Sequence, residues 1–306
     1  MSVIGIDTSN YTTSIAYFDG VGGENCSKLL PVKQGELGLR QSDAVFSHIK
    51  SLPELSGRLF SHVQESITAV GVSTRPRAVD GSYMPCFMVG YSHAKMLSDM
   101  LSVPLIEVSH QQGHVAASLW SAGHMELMGQ PHLAWHLSGG TTELLLVEPV
   151  GKNVKCTKIG GTTDISAGQL IDRTGQLLNL PFPSGKTLDI LSQNAVLKET
   201  FKVKCSNMEF SLSGVQNKVQ QFHAQHAMAE ETAAYALRCV AKVVYQATEQ
   251  ALKTYPGLRV VFSGGVASNS MLRKIIAPLD PIFSQPQFST DNAMGVAVLA
   301  YRATEE

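Results

Sequence analysis

Two short segments decide the fold, VIGIDTSN at residues 3–10 and LAWHLSGGTT at residues 133–142. Each is an apolar strand that leads into a polar turn, and each is followed by a second β-type run. The chain therefore contains one supersecondary unit, strand, polar turn and strand, twice. A third segment, VVFSGGVASN at residues 260–269, predicts a strand, a glycine turn and the N-terminus of a helix.

Helical patterns separate these segments, and such an alternation is typical of α/β layers. With 306 residues, the chain is about twice the length of a roughly 150-residue domain. We predict an α/β protein with two lobes, built from duplicated mixed sheets with a cleft between them. The N-terminal lobe is residues 1–109, with the last helix, 291–306, packed back on it, and residues 110–290 form the C-terminal lobe with the nucleotide-binding motifs. The predicted helices cover roughly residues 43–70, 87–101, 113–120, 166–178 and 226–253.

Composition limits the partners of this protein. The chain has 24 basic and 25 acidic residues and a net charge of -1, so it lacks the basic excess of proteins that grip nucleic acid unaided. We expect no DNA partner, and an RNA partner would need helper subunits or a local basic patch such as Arg75, Arg77, Lys202 and Lys204. Five scattered cysteines without CxxC spacing indicate reduced thiols. The N-terminus lacks signal-peptide character and no apolar run approaches about 18 residues, so we predict a cytoplasmic protein without a membrane span.

Two histidines, His110 and His114, stand four residues apart and therefore on one face of a helix, where both can bind one cation. Asp291 offers a carboxylate as third ligand. The alternatives are two surface histidines and, for Asp291, an N-cap of a last helix at residues 292–301, a role that can coexist with metal binding. A zinc peptidase of the HExxH type needs glutamate where this chain has Gln111, so protease activity is not expected. A metal that bridges nucleotide phosphates is the better interpretation.

Glycine turns between strands let main-chain N–H groups approach an anion, so Ser138-Gly139-Gly140 and Gly264-Gly265 are candidate phosphate and nucleoside contacts. The alternative is that they are only turns. Asp172 and Asp189 flank another turn, at residues 184–185, and carboxylates near an adenosine can accept hydrogen bonds from ribose hydroxyls. As an alternative, both aspartates are solvated or capping acids.

These motifs together resemble a known family. The matching segments are PLIEVSHQQGH at 104–114, LSGG at 137–140, AGQLID at 167–172, FSLSG at 210–214, GGVASN at 264–269 and STDNAM at 289–294. They resemble the threonylcarbamoyl-transferase family that modifies tRNA, formerly labelled O-sialoglycoprotein endopeptidase. That family belongs to the superfamily of actin and sugar kinases, so the resemblance implies an actin-like, RNase H-like ATPase fold.

The resemblance also implies a reaction, in which a threonylcarbamoyl group passes from its adenylate to the adenosine next to the tRNA anticodon. It assigns a divalent metal to His110, His114 and Asp291, iron first, with zinc and magnesium as alternatives. It assigns catalysis to the turn Ser138, Gly139, Gly140 and Thr141. It also implies helper proteins, a related dimerisation partner and an ATPase. The residues expected to bind ATP or the acyl-adenylate are Asp7, Ser138, Gly139, Gly140, Asp172, Gly185, Asp189, Gly264, Gly265 and Asn269.

The chain departs from the family pattern at several charged positions. Tyr11-Thr12 replaces an Asp-Glu pair, Thr141 replaces a histidine, and Val215-Gln216 replaces a lysine after the FSLSG segment. Charged groups of this kind can contribute roughly 10²- to 10⁴-fold in rate as acids or bases. Two alternatives to the tRNA reaction therefore stay open. One is a carbamoyl-type transferase with a different acceptor, and the other is a non-catalytic, ATP-binding regulatory paralogue.

Overall fold

The computed structural model describes residues 1–31, 39–61, 63, 65–196 and 202–305. The chain forms two compact units. The first comprises Met1–Gln130, Glu148–Cys156 and Asp291–Glu306, and the second comprises Pro131–Val147 and Thr157–Thr290. The first unit continues to Gln130, so it includes the helix with both candidate histidines, which the predicted boundary at residues 109/110 assigns to the other lobe.

The first unit is built on a mixed sheet in the order β3-β2-β1-β4-β5. Strands β1 and β2 are antiparallel, as are β2 and β3, whereas β4 runs parallel to β1 and β5 parallel to β4. Central β1 is buried at every position, whereas β3 at the edge is mostly exposed. Its elements are β1 Ser2–Thr8, β2 Thr12–Phe18, β3 Gly23–Leu29, α1 Gln41–Phe60, β4 Ile67–Arg75, α2 Phe87–Leu101, β5 Leu105–Ser109, α3 His110–Ala122 and, at the C-terminus, α9 Met294–Thr304.

The second sheet has the order β12-β11-β6-β7-β8-β10-β9. Strand β7 is antiparallel to β6, and β11 and β12 follow on the other side of β6 in parallel. Its strands are β6 His132–Leu137, β7 Thr142–Val150, β8 Asn153–Thr162, β9 Cys205–Ser206, β10 Glu209–Phe210, β11 Val260–Ser263 and β12 Ile282–Phe283. The helices of the second unit are α4 Ala167–Leu177, α5 Gly185–Ser192, α6 Ser213–His226, α7 Ala229–Thr254 and α8 Ser270–Ile276.

The two sheets repeat one arrangement. The order β8-β7-β6-β11-β12 in the second sheet corresponds to β3-β2-β1-β4-β5 in the first, with the antiparallel pair β6 and β7 matching β1 and β2. The predicted α/β class with two mixed sheets is therefore confirmed, and so is the duplicated unit. Among the described residues, none of the helices combines the length and apolar character that crossing a bilayer requires.

One predicted helix was too long. The interpretation of residues 43–70 as helical fails because α1 ends at Phe60 and β4 begins at Ile67. The β4 segment ITAVGVSTR is rich in β-branched residues, which pack well in a buried parallel strand. Residues 70–73 are fully covered in this strand, so sheet pairing outweighs the helical pattern.

Candidate metal centre and nucleotide-binding turns

Helix α3 presents the two histidines at its N-terminus. Strand β5 ends at Ser109, whose side chain accepts a hydrogen bond from the N–H of Gln112, while the Gln112 side chain accepts one from the N–H of Ser109. This capping box fixes where the helix begins. His110 is its first residue and His114 follows one turn later, so both rings lie on one face, as the spacing predicts.

Asp291 contacts both histidines instead of capping a helix. Helix α9 begins at Met294, and the side chain of Asn292 accepts the hydrogen bond from the N–H of Met294 at 3.1 Å. The alternative in which Asp291 caps a helix at 292–301 is therefore wrong. Its carboxylate lies against the histidines of α3, within the same unit.

The three candidate ligand atoms form a tight triangle. The Nε2 atoms of His110 and His114 are 3.0 Å apart, and Oδ1 of Asp291 lies 3.2 Å from His114 and 3.6 Å from His110. A point equidistant from all three is about 1.9 Å from each, while bonds from a metal to His or Asp are roughly 2.0–2.2 Å. The spacing of these three side chains therefore fits a single divalent ion, which His110, His114 and Asp291 would hold.

Asp7, at the end of β1, orients the first histidine. Its Oδ2 lies 2.6 Å from Nδ1 of His110, a short charge-assisted hydrogen bond that leaves Nε2 facing the other two ligands. Carboxylates hold metal-binding histidines in this way in many proteins. On the opposite side, the Ser9 hydroxyl donates to Oδ2 of Asp291 at 3.3 Å. Asp7 was predicted as a nucleotide ligand and Ser9 was not predicted as a site residue, although both belong to the polar end of the VIGIDTSN segment.

Without an ion, the cluster retains a proton. Burial lowers the pKa of His110, but the charge of Asp7 and the hydrogen bonds with Asp291 and Asp7 outweigh it and raise this pKa to about 10. Burial also opposes the ionisation of Asp291, yet its hydrogen bonds to His110 and His114 hold its pKa well below the usual range. A metal ion that binds here must therefore displace a proton from the imidazole.

In the second unit, the predicted phosphate turn follows β6. Ser138 closes it, because its N–H donates to the carbonyl of Thr141 at 2.8 Å and its hydroxyl accepts from the N–H of Thr141 at 3.1 Å. Gly139 and Gly140 are exposed, with open space where a Cβ would stand. The main chain of this turn is thus accessible to an anion.

Helix α4 packs directly on this turn. The hydroxyl of Ser166 donates to the carbonyl of Gly139 at 2.6 Å, and a Cβ on Gly168 would lie 2.5 Å from the Ser138 carbonyl oxygen. Ser166 also forms a capping box with Gln169. Glycine at position 168 is therefore required by close packing, and the helix fixes the shape of the turn.

The remaining predicted nucleoside ligands form two hydrogen-bonded groups. Asp172 accepts from the N–H of Ser184 at 2.9 Å, just before Gly185, and burial raises its pKa. Asp189 accepts from the side-chain amide of Asn269 at 2.9 Å and from the N–H of Ser270 at 3.0 Å. In this structure both aspartates have capping contacts, which agrees with the structural alternative but leaves their ligand role a prediction.

The last glycine turn follows β11, whose register places Ser263 opposite His136 at the end of β6. The turns after β6 and β11 therefore begin at the same end of these two adjacent parallel strands. Gly264 has φ of +90°, and a Cβ there would lie 2.2 Å from the Leu137 carbonyl oxygen. Gly265 instead has ordinary room, with Thr290 as its nearest neighbour at 3.8 Å.

The departures from the family pattern have structural contacts of their own. Thr12 is buried in β2, and Tyr11 is half-buried beside it. The side-chain amide oxygen of Gln216, Oε1, accepts a hydrogen bond from a guanidinium N–H of Arg173 at 2.7 Å. The four basic side chains suggested as RNA contacts, Arg75, Arg77, Lys202 and Lys204, are all exposed.

Comparison with known proteins gives the family. A model of the tRNA N6-adenosine threonylcarbamoyltransferase family matches residues 38–298. The enzyme of that name from Thermosipho africanus is 30% identical over 99% of this chain and 94% of its own length. The enzyme of that name from Carboxydothermus hydrogenoformans is 33% identical over 78% of this chain and 72% of its own.

Solved structures agree at the level of the fold. The activator of the 2-hydroxyisocaproyl-CoA dehydratase from Clostridium difficile, with bound ADPNP, matches 99% of this chain and 95% of its own, with a TM-score of 0.55 and 15% identity. This likeness shows the predicted actin-like ATPase fold. With the family match over most of its length, the chain belongs to the tRNA N6-adenosine threonylcarbamoyltransferases, a family of acyl-type transferases.

Proposed function

We propose that this protein transfers a threonylcarbamoyl group from its adenylate to the exocyclic amine of the adenosine next to the tRNA anticodon. The observation that carries the proposal is the convergence of His110, His114 and Asp291, oriented by Asp7, in a chain with the family match. In the reaction, the amine nitrogen forms a bond to the carbamoyl carbon. The bond from that carbon to the phosphate oxygen breaks, AMP leaves, and the amine loses a proton.

Each unit contributes one kind of binding group to this proposal. In the first, His110, His114 and Asp291 hold a divalent ion, with iron the first candidate. Such an ion would supply a Lewis acid for the charge that develops on a leaving phosphate. In the second unit, the open turn at Gly139 and Gly140 offers main-chain N–H groups to an anionic ligand group. Nucleotide binding by relatives of this fold, such as the activator with bound ADPNP, supports ATP or the adenylate as ligand.

Reconstitution tests the proposal. The purified chain, loaded with ferrous ion, is incubated with threonylcarbamoyl-adenylate and an unmodified tRNA that carries adenosine after the anticodon. Mass spectrometry of the digested tRNA then detects threonylcarbamoyladenosine. We expect the product with the native chain and a loss of at least about 10²-fold with His114→Ala, because one of three metal ligands is removed. Activity unchanged by His114→Ala would refute the metal role.

The family resemblance implies helper proteins, so the same assay is repeated with a related dimerisation partner and an ATPase of the family. A tRNA substrate would place the protein in the cytoplasm. If product is absent with every partner present while the adenylate still binds, the non-catalytic regulatory role replaces the transferase.

A second candidate function is a carbamoyl-type transferase with a different acceptor. It is favoured by the replaced acidic pair, because buried Thr12 cannot act as an acid or base, and by Gln216, whose side-chain amide oxygen is bound to Arg173. Deletion of the gene distinguishes the two. Loss of threonylcarbamoyladenosine from cellular tRNA supports the tRNA reaction, whereas an unchanged level, in a strain without another family member, supports the other acceptor.

A further inference from the structure

Helix α3, which carries the two histidines, and helix α9, which begins three residues after Asp291, approach each other main chain to main chain. If Gly295 in α9 had a Cβ, this atom would lie 1.8 Å from the carbonyl oxygen of Gly113 in α3 and 2.7 Å from the amide nitrogen of Ala117. These neighbours are backbone atoms of a helix, so they cannot swing away as a side chain would. Position 295 therefore accepts glycine only, unless the helices move apart.

The opposite side of α9 is equally close to β1. A Cβ on Gly5 would lie 2.5 Å from the amide nitrogen of Ala297 and 2.6 Å from the carbonyl oxygen of Ala293. Two residues after Gly5, the same strand carries Asp7, which orients His110. Helix α9 is thus held between the strand that carries the orienting carboxylate and the helix that carries the histidines.

We propose that Gly295 is a positioning residue for the metal centre. By letting the main chains of α3 and α9 touch, it sets the separation between Asp291 and the histidine pair, and so the affinity and coordination geometry of the bound ion. This inference rests on the metal centre of the proposed function. An independent observation points to a ligand at the same place. Asp7 is 1% exposed, and its Oδ1 atom has no hydrogen-bond partner among the described residues.

The size of the effect follows from the geometry. An ordinary contact between carbon and a carbonyl oxygen is about 3.3 Å. The Cβ of an alanine at position 295 would lie 1.8 Å from the Gly113 oxygen, so helices α3 and α9 would have to move apart by roughly 1.5 Å. Asp291 Oδ1 lies 3.2 and 3.6 Å from the two histidine Nε2 atoms. If both distances increased by a similar amount, one ion could no longer bond to all three ligands at the same time. Partial relaxation reduces this shift, but functional sites lose precision with displacements of about 0.5 Å.

Cobalt titration of the purified protein tests the inference. The visible spectrum of bound Co²⁺ reports coordination geometry, which a purely structural glycine would not control in a protein that remains folded. We expect Gly295→Ala to weaken Co²⁺ binding by about 10- to 100-fold and to change the spectrum. Gly57→Ala in α1 is the matched control, because a Cβ at this helical position has nothing within 4 Å, and it should bind Co²⁺ as the native protein does.

A milder pair of variants keeps the test decisive if Gly295→Ala does not fold. A Cβ on Gly113 would lie 3.2 Å from Cγ2 of Val296, so Gly113→Ala should weaken binding less, by about threefold to tenfold. Adding Val296→Ala removes that methyl group and should restore the affinity. Three results would overturn the inference. They are native Co²⁺ affinity in Gly113→Ala, no recovery of affinity when Val296→Ala is added to it, and a folded Gly295→Ala with native affinity and spectrum. If the native protein itself binds no Co²⁺, the metal centre of the proposed function fails instead.

Discussion

Replacing Asp7 with asparagine tests how the metal centre is charged. In the metal-free protein, the pKa of His110 is raised to about 10, so at pH 7.5 this imidazole is almost fully protonated. A metal ion must remove that proton, which costs about 3 kcal/mol at this pH, at 1.36 kcal/mol for each pKa unit. The apparent affinity for the ion should therefore rise about tenfold for each pH unit between pH 6.5 and 8.5.

Asp7→Asn has two opposing effects on metal binding. It removes a charge that raises the pKa of His110, so less proton competition remains. It also removes the carboxylate that orients the ring, which typically costs 10- to 100-fold in affinity, or roughly 1.4–2.7 kcal/mol. Asp291 still raises the pKa of His110 in the variant, so some proton competition remains. Because only the first effect depends on pH, the affinity of the variant for the ion should rise less steeply between pH 7 and 8.5 than that of the native protein.

Calorimetry separates these effects. Titrations with Co²⁺ in buffers of different ionisation enthalpy give the number of protons released for each ion bound. We expect about one proton for the native protein near pH 7.5 and clearly less for Asp7→Asn. Asp19→Asn is the control, because its carboxylate accepts from the N–H groups of residues 21 and 22 in an exposed turn of the same unit, and the native proton count should remain. Equal proton counts for native protein and Asp7→Asn would refute the assignment of the charge network.

Three further predictions concern the stability of individual contacts. Asp164→Asn should lower the free energy of unfolding by about 1 kcal/mol, because the Asp164 carboxylate accepts hydrogen bonds from main-chain N–H groups at the start of α6. Burial raises the pKa of Asp164, but hydrogen bonds from Ser211, Ser213 and Leu212 hold this pKa below its usual value. The contribution of Asp164 to stability is present above its unfolded pKa and is lost as the pH falls. The free energy of unfolding, measured with urea, should therefore decrease less steeply from pH 5 to pH 3 in the variant than in the native protein. Gly264→Ala should lower the free energy of unfolding by at least about 2 kcal/mol, because φ is +90° and the added Cβ would lie 2.2 Å from the Leu137 carbonyl oxygen. Gly140→Ala should change this free energy little, because the added Cβ would stand in open space. Ser109→Ala should cost about 1 kcal/mol and weaken Co²⁺ binding several-fold in calorimetry, because the capping box with Gln112 sets the start of α3.

The repeated strand and turn could be predicted from sequence because strand burial and turn chemistry are local properties. The apolar runs that became β1 and β6 are central in their sheets, and such strands are apolar on both faces. The histidine pair could be predicted for the same reason, since helical periodicity places residues four apart on one face. The Ser-x-x-Gln pattern at Ser109 is also typical of a capping box, and it could have predicted that α3 begins at His110.

Features that depend on distant contacts could not be obtained in this way. The first unit also takes in residues 148–156, and nothing local in the sequence marks this segment, although the return of the last helix to the N-terminal lobe was predicted. The end of α1 was also misplaced, because the choice between helix and strand for residues 67–70 is made by pairing with β1 and β5. Likewise, Asp291 resembles an N-cap in sequence, and only the position of α9 against α3 shows its contact with His114.

The charges of the histidine and aspartate cluster give a reason to expect an ion. Two carboxylates and two imidazoles occur together in the first unit, and Asp7 Oδ1 is buried with no partner among the described residues. A buried acceptor without a hydrogen bond typically costs about 1–3 kcal/mol, and a stable fold rarely retains one without a functional cause. One proton on His110 balances only one of the two negative charges. A divalent ion balances both, so replacing that proton by the ion removes a net charge that the buried cluster otherwise carries.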